Sequence, residues 1–275
     1  MKLVHTVKEV RDFLESKNNI GLVPTMGALH VGHERLMETG RRESDVLAVS
    51  IFVNPLQFGQ NEDYSRYPRT LSHDLETCER NNVDLVFAPS VEEMYPLPQL
   101  TSVEVGRLSE HLCGKFRQGH FRAVATVVMK LLNIIQPQRA YFGEKDIQQL
   151  TIIRRMAADL NLNVTIVGVP IVRETDGLAL SSRNKYLSAE ERKAAPALYR
   201  ALQEAVNRIR AGEKDASKVR EAALGVLANS PLIRVEYFEI VDPEELQPLA
   251  TISAPVRIAG AVWLGATRLI DNVNA

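Results

Sequence analysis

Apolar residues in the first two-thirds of the chain follow two alternating patterns. Short and almost continuously apolar runs, such as VLAVSIFV at 46–53, predict strands that are covered on both faces. Between these runs the apolar spacing changes to three and four residues, which predicts helices with one buried face. We place strands at 20–23, 46–53, 85–88, 140–142 and 164–169, and helices at 34–42, 121–135 and 147–157. This alternation predicts a parallel sheet with helical crossovers.

The pattern changes after about residue 175. Ser188 followed by Glu191 is a capping box, which predicts the start of a long helix that ends near Gly212. We place helices at 189–210 and 215–228, and strands at 235–241 and 256–264. The sequence therefore predicts an α/β protein, with a Rossmann-like doubly wound parallel sheet in residues 1–174 and a smaller α+β domain in residues 175–275.

Composition and charge narrow the possible functions. With 275 residues, 45% of them apolar and 24% charged, the chain can bury a real core, which excludes disordered and fibrous classes. Its 33 basic and 34 acidic residues give a net charge of -1, so an anionic ligand must be held locally. Cys78 and Cys113 fit neither a disulfide framework nor a zinc site. The apolar runs are too short for a membrane span and the first residues do not resemble a leader, so we expect a cytoplasmic protein.

The most informative segment is PTMGALHVGH at 24–33, between a predicted strand and a predicted helix. A turn in this position lies at the carboxyl edge of a parallel sheet, where open α/β folds bind ligands. Gly27 and Gly32 allow a ligand to approach the backbone, and free N–H groups at the helix start would favour an anion such as phosphate. His30 and His33 can project to one side and donate to it together. A metal is the alternative ligand for such a pair, but no convincing third ligand lies nearby in the sequence.

Two further segments carry groups suited to a nucleotide. In FGEKDIQQ at 142–149, Lys145 offers a point charge to phosphate and Asp146 an acceptor for ribose hydroxyls. In LSSRN at 180–184, two hydroxyls and a guanidinium suit a polyphosphate. By itself, the Ser181-Ser182-Arg183 triplet is more often part of an ordinary solvated loop. The dinucleotide-binding G-x-G-x-x-G and the phosphate-loop G-x-x-x-x-G-K-[ST] do not occur in the sequence.

Neutral side chains suited to hydroxyl and carboxylate groups follow a predicted strand in SIFVNPLQF at 50–58. They are the amides of Asn54 and Gln57. By themselves such residues are more often part of turns and helix caps. Their value as an indication of function comes from the other motifs in the same sequence.

Five motifs in order resemble those of the pantoate:β-alanine ligase family, also called pantothenate synthetases. They are PTMGALHVGH, FVNPLQF, YPRT at 67–70, FGEKDIQQL and LSSRN, and they extend over about residues 20–190. HVGH is similar to the HIGH signature of class I aminoacyl-tRNA synthetases and other adenylyl transferases, and LSSRN takes the place of their KMSKS-type loop. The resemblance implies the same Rossmann-like fold and extends over the whole chain.

The activity implied by the resemblance is an ATP-dependent ligation. The pantoate carboxylate attacks the α-phosphorus of ATP and releases pyrophosphate, and the amine of β-alanine then displaces AMP from the pantoyl adenylate to give pantothenate. Mg²⁺ would accompany ATP, with protein ligands that the sequence does not identify. The partners implied are these small molecules and a second copy of the chain in a cytoplasmic homodimer, with no nucleic acid and no membrane.

The resemblance also assigns roles to single residues. The catalytic candidates are His33, His30, Lys145 and Arg183. For His33 we favour transition-state hydrogen bonding over proton donation, because a carboxylate nucleophile has no proton to remove. ATP would be bound by Met26, Gly27, Ala28, Leu29, His30, Val31, Gly32, His33, Gly143, Glu144, Lys145, Asp146, Val172, Leu180, Ser181, Ser182 and Arg183. Pantoate would be bound by Gln57, Gln149 and Asn54, and β-alanine by Gln57.

Three alternatives remain at this point. A nucleotidyltransferase would stop after transferring a nucleotidyl group, and a nucleotide sensor would bind ATP without turnover. An RNA-binding synthetase is disfavoured because the net charge is near zero and no basic, aromatic-rich segment occurs. We also expect the smaller domain to act as a lid that shields the labile adenylate from water.

Overall fold

The computed structural model describes residues 1–59, 62–253 and 255–275. The fold divides into two compact units. The first consists of Met1–Gly106, Arg117–Glu144 and Ile152–Pro170, and the second of Arg107–Phe116, Lys145–Thr151 and Ile171–Ala275. Within the described residues, no helix combines the length and apolar content that a membrane crossing requires.

The first unit is built on a parallel sheet. Its strands are β1 (Lys2–Val4), β2 (Ile20–Thr25), β3 (Val46–Ile51), β4 (Leu85–Phe87), β5 (Arg139–Gly143) and β6 (Thr165–Val169). All pairings are parallel, and the order across the sheet is β1-β4-β3-β2-β5-β6. The predicted strands are confirmed, and their ends differ from the observed ones by at most two residues. β1 was not predicted, because three residues are too few to show a period.

The strand order creates a ligand-binding position at one edge of this sheet. From β2 the chain continues to β3 on one side, and later returns to place β5 on the other side of β2. The connections that leave β2 and β5 therefore diverge, and in open α/β sheets ligands bind where this happens, beyond the carboxyl ends of the strands. The turn after β2 is the segment that carries His30 and His33.

The helices predicted at 34–42, 121–135 and 147–157 are present, together with four that were not predicted. The first seven are α1 (Val7–Leu14), α2 (Val31–Glu43), α3 (Leu71–Arg80), α4 (Val91–Met94), α5 (Leu112–Phe116), α6 (His120–Ile135) and α7 (Ile147–Asp159). α6 ends where predicted, with Gln136 in the left-handed conformation ahead of Pro137. A buried cluster of the first unit includes Met37 of α2, Val49 of β3 and Val86 of β4. This packing fixes α2, and with it the turn at its start.

The second unit packs helices against a small antiparallel sheet. Its remaining elements are α8 (Ala189–Ala194), α9 (Ala197–Arg210), α10 (Ala216–Ala228), β7 (Ile233–Val241), β8 (Arg257–Leu264) and β9 (Thr267–Asn274), with strand order β7-β8-β9. Leu198, Leu202, Phe238 and Ile258 are among its buried core residues. The predicted fold class, a doubly wound parallel sheet with a smaller α+β part, is confirmed.

One prediction for the second unit was wrong, and one strand was not predicted. The capping box at Ser188 is present, but the helix predicted over 189–210 is two helices. Pro196 separates them, because its ring and missing N–H interrupt the hydrogen-bond ladder of a helix. The strand β9 was not predicted, because TRLIDNVN shows neither alternation nor a continuous apolar run. Its polar residues Asp271 and Asn272 are nevertheless buried, at 4% and 2% exposure.

Both cysteines are buried thiols, as expected. Burial raises the pKa of Cys78 to about 12, and the negative charge of Asp74 adds to the rise. A thiol with that pKa is about one part in 10⁴ thiolate at pH 8.

We therefore expect iodoacetamide at pH 8 to modify Cys78 in the folded protein at least ~100-fold more slowly than free cysteine. Timed labelling followed by peptide mass spectrometry measures this rate. The control is the guanidinium-unfolded chain, and labelling of folded Cys78 at the rate of free cysteine would contradict the expectation.

Candidate active site

The turn after β2 has an unusual backbone conformation. Gly27 and Ala28 are both left-handed, with φ angles of 77° and 51°. A left-handed alanine carries a steric cost, so the surrounding structure must hold it in place. Thr25 provides part of that support: its hydroxyl donates to the Ser50 carbonyl at 2.8 Å and accepts the Gly27 N–H at 3.1 Å.

Asp74 of α3 provides the rest. Its side chain is buried at 1% exposure, and its two carboxylate oxygens accept the N–H groups of Ala28 at 3.0 Å and Leu29 at 2.8 Å. The Thr70 hydroxyl donates to the same carboxylate at 3.2 Å. A Cβ on Gly27 would lie 2.9 Å from Asp74 Oδ2, so this position needs glycine for space as well as for its φ. Asp74 was missed in the sequence, where an aspartate in a helix carries no sign of a partner in a distant turn.

His30 and His33 are oriented by the same backbone. His30 caps α2 and its Nδ1 accepts the Gly32 N–H at 3.1 Å, while Nδ1 of His33 accepts the His30 N–H at 3.3 Å. The ring centroids are 4.1 Å apart. Because Nδ1 accepts in both residues, each neutral imidazole carries its proton on Nε2. The pair therefore presents two Nε2–H donors, as the spacing predicts.

The prediction that N–H groups at the helix start are free for an anion is wrong for Gly32, whose N–H donates to His30 Nδ1. The N–H groups of Gly27, Ala28, Leu29, His30 and Gly32 all donate to side chains of the protein. The turn needs these bonds because its left-handed residues direct N–H groups inward, where they must find an acceptor. These five N–H groups therefore already have acceptors within the protein.

Asn54 and Gln57 meet next to the turn. Asn54 is 1% exposed, and its Oδ1 accepts from the Leu56 N–H at 3.3 Å and the Tyr95 hydroxyl at 3.0 Å. Its amide nitrogen then faces Gln57 Oε1 at 3.3 Å, while Gln57 Nε2 lies 2.8 Å from Met26 Sδ. Burial raises the pKa of Tyr95 to about 12, so it stays a neutral donor. The structure thus brings together Met26, Asn54 and Gln57, which the resemblance assigns to ATP and pantoate.

The main chain of Gln57 has a support that the sequence did not reveal. Its carbonyl accepts from His120 Nδ1 at 2.9 Å and from Arg117 Nη2 at 3.3 Å. Arg117 also binds both carboxylate oxygens of Glu62, at 2.5 and 2.6 Å. Burial by itself raises the pKa of Glu62, but the hydrogen bond and charge of Arg117 outweigh it and the pKa is lowered. The one available signal was the polar GKFRQGHF before the apolar face of α6.

Of the other predicted nucleotide residues, Gly143 and Glu144 lie in the first unit and the rest in the second. Lys145 is 20% exposed, and its Nζ lies 4.0 Å from Asp146 Oδ2. Val172 and Leu180 face each other in a short hairpin, where the Leu180 N–H donates to the Val172 carbonyl at 3.0 Å. Gln149 is half-buried, and its neighbour Gln148 is instead a structural residue that binds the main chain at 108–113.

The LSSRN segment forms a short 3₁₀ helix over Ser182–Tyr186. Ser181 caps it, since its hydroxyl accepts the Arg183 N–H at 3.3 Å, and Ser182 is buried. Asn184 connects the segment to the hairpin by donating to the Ala179 carbonyl at 3.2 Å. The segments that carry Val172, Leu180 and Arg183 are therefore parts of one local structure.

Metal ligands form no cluster in the part of the chain that the structure describes: no group of three or more His, Cys, Asp or Glu side chains could hold an ion. The carboxylate of Asp74, behind the turn, already accepts from the N–H groups of Ala28 and Leu29. Asp146 is half exposed beside Lys145.

Fold and site together define a class of α/β protein. Two imidazole donors lie beyond the carboxyl end of β2, where the connections that leave β2 and β5 diverge, and this position suits a phosphate. Comparison with known proteins narrows the class. The family model described as pantoate-beta-alanine ligase matches residues 2–274, and the chain belongs to this family. The resemblance noted in the sequence is confirmed.

Individual relatives agree with this membership. The pantothenate synthetase of Thermotoga petrophila is 52% identical over 276 residues, covering 99% of each chain. Among solved structures, the pantothenate synthetase of Thermus thermophilus has a TM-score of 0.96 at 50% identity, again covering 99% of each chain. The pantoate-beta-alanine ligase of Francisella tularensis, solved in complex with "Beta-gamma ATP and Beta-alanine", has a TM-score of 0.82 at 34% identity and covers 99% of this chain and 97% of its own.

Proposed function

We propose that the protein joins pantoate and β-alanine to form pantothenate, using ATP and releasing pyrophosphate and AMP through a pantoyl adenylate. The observation that carries the proposal is the His30–His33 pair, whose Nδ1 atoms are occupied by backbone N–H groups so that both Nε2–H groups are donors. Membership of the ligase family over residues 2–274 supplies the choice of substrates.

The first half-reaction needs positive donors rather than a base. As the pantoate carboxylate attacks the α-phosphorus, negative charge grows on the phosphoryl oxygens and the departing pyrophosphate. The Nε2–H groups of His30 and His33 donate to those oxygens, and they are already oriented before the reaction. Lys145 and Arg183 add full positive charges. Mg²⁺, held by phosphate oxygens and water, would neutralise the polyphosphate further.

The acids are recognised by neutral amides. The buried Asn54 and its neighbour Gln57, together with Gln149, bind the hydroxyls and carboxylate of pantoate, and Gln57 also borders β-alanine. Fixed amides suit this task because they bind without the repulsion or excess affinity that a charged side chain would add. In the second half-reaction the β-alanine amine attacks the acyl carbon and AMP leaves. The negative charge on the phosphate of AMP is then stabilised by hydrogen bonds from His30 and His33.

The remaining roles are proposed on the family resemblance. ATP is bound by residues 26–33, 143–146, 172 and 180–183, with Val172 at the adenine. The protein acts as a cytoplasmic homodimer, and residues 1–174 form the nucleotide domain and 175–275 the lid.

Isotope exchange tests the proposed function. With ATP, Mg²⁺ and pantoate but no β-alanine, labelled pyrophosphate is expected to enter ATP, and adding β-alanine should then release AMP and pantothenate. The matched control is 3,3-dimethylbutanoate, which keeps the carbon skeleton and carboxylate of pantoate but lacks both hydroxyls, and should support little exchange. ATP binding without pantoate-dependent exchange would refute the proposal, and exchange without release of AMP on adding β-alanine would indicate a nucleotidyltransferase instead.

A further inference from the structure

A polar pair in the last strand contacts the segments of the second unit that the proposed function assigns to the nucleotide. Asn272 of β9 is 2% exposed, and its Nδ2 donates to the Lys145 carbonyl at 3.1 Å. At the other end of the same amide, Oδ1 accepts from Arg257 Nη1 at 2.8 Å. Because both ends of the side chain are bound, its orientation is fixed, and so is the main chain at Lys145.

Asp271, the preceding residue, holds the hairpin. Its carboxylate, 4% exposed, receives two hydrogen bonds from Arg173, at 2.6 and 2.8 Å. Arg173 lies next to Val172, donates to the Gly177 carbonyl at 3.0 Å and stacks over Tyr199 with its Cζ 4.1 Å from the ring centroid. The hairpin is therefore attached to β9 by a planar, two-bond contact that permits little rotation.

We propose that Asn272 is a positioning residue for Lys145, and that β9, anchored to the hairpin through Asp271 and Arg173, is the rigid support that sets Lys145 relative to Val172 and Leu180. This inference rests on the proposed function, in which those three residues bind ATP. Asp271 and Asn272 are consecutive in a strand paired along its length with β8, at Gly260 and Ala259. The hairpin and the main chain at Lys145 are therefore both attached to the same strand, β9.

The chemical nature of the pair argues against a role in packing alone. Burying a carboxylate and an amide is costly, and apolar residues of similar volume commonly stabilise a core as well or better. Burial raises the pKa of Asp271, and the charges of Arg173 and, less strongly, Lys145 oppose that rise. Asp271 and Asn272 instead fix the orientation of the groups that they bind, because hydrogen bonds depend on angle and apolar contacts do not.

A double-mutant cycle on ATP binding tests the role of Asn272. The dissociation constant for ATP is measured by equilibrium dialysis for the wild type, Asn272→Ala, Lys145→Ala and the double variant. If Asn272 acts through Lys145, Asn272→Ala weakens ATP binding about tenfold when Lys145 is present and less than about twofold when it is absent. An equal loss in both backgrounds, or no loss in either, would overturn the proposal.

Matched controls separate positioning from folding. Asn274→Ala makes the same substitution two residues further along β9 at an exposed position, and should leave both ATP affinity and Tm unchanged. If Asn272→Ala does not fold, Asn272→Thr, which suits a strand but is too short to reach the carbonyl, goes through the same cycle. Because the readout is ATP binding alone, a protein that binds ATP but shows no pantoate-dependent exchange would refute the proposed function and still leave the cycle decisive for Asn272.

Discussion

Replacing His33 with alanine is expected to lower kcat for pantoate-dependent pyrophosphate exchange by about 10² to 10³, the usual loss when one oriented transition-state donor is removed. The KM for ATP should change much less, because the donor acts mainly on charge that develops in the reaction. Tm should stay close to the wild-type value, since water can replace the Nδ1 acceptor of the partly exposed His33. Initial rates of exchange and thermal melts measure the three quantities.

Two further substitutions separate the two nitrogens of His33. Asn can place an oxygen near the Nδ1 position and so keep the contact to the His30 N–H, whereas Gln can place an amide donor near the Nε2 position. If the Nε2–H donor is what matters, His33→Gln should retain more activity than His33→Asn. The control is His73→Ala, which removes a histidine whose side chain is 60% exposed on α3. Near wild-type turnover of His33→Ala, or higher activity for Asn than for Gln, would contradict the assigned role.

Asp74→Ala is expected to be the most destabilising single change near the site. It leaves the buried N–H groups of Ala28 and Leu29 without their acceptor, and each such group costs about 1–3 kcal/mol. The combined loss of about 2–6 kcal/mol is a large part of the stability of a typical domain. We expect a lower denaturation midpoint, faster hydrogen exchange at the amides of residues 28 and 29, and weaker ATP binding, because the left-handed turn is no longer held.

Asp74→Asn should lie between the alanine variant and the wild type. It keeps one oxygen acceptor but sets an NH₂ group against the second N–H. Glu76→Gln is the matched control, since it neutralises a carboxylate on the same helix whose side chain is 69% exposed, and it should change stability by less than about 0.5 kcal/mol. Urea unfolding followed by circular dichroism, combined with hydrogen-exchange mass spectrometry, compares the variants. Unchanged exchange at residues 28 and 29 in Asp74→Ala would show that Asp74 does not hold the turn.

The sequence by itself determined the layout of the fold. Runs such as 46–53 identified buried strands, the spacing over 121–135 identified α6, and Ser188 with Glu191 identified a helix start, all of which the structure contains. These signals are local, because period and capping depend on residues within one or two turns of each other. The single helix predicted over 189–210 is wrong for an equally local reason, since Pro196 interrupts the hydrogen-bond ladder between α8 and α9.

The candidate site was determined only in part by the sequence. The order of five motifs located the turn, Lys145 and LSSRN, and a spacing of three placed His30 beside His33. The carboxylate of Asp74 behind the turn and the polar pair in β9 were decided by the tertiary structure. Asp74 meets Ala28 across 46 residues, and Asn272 meets Lys145 across 127. A hydrogen bond between such distant residues leaves no periodic trace, because it depends on how strands and helices pack rather than on the spacing within either one.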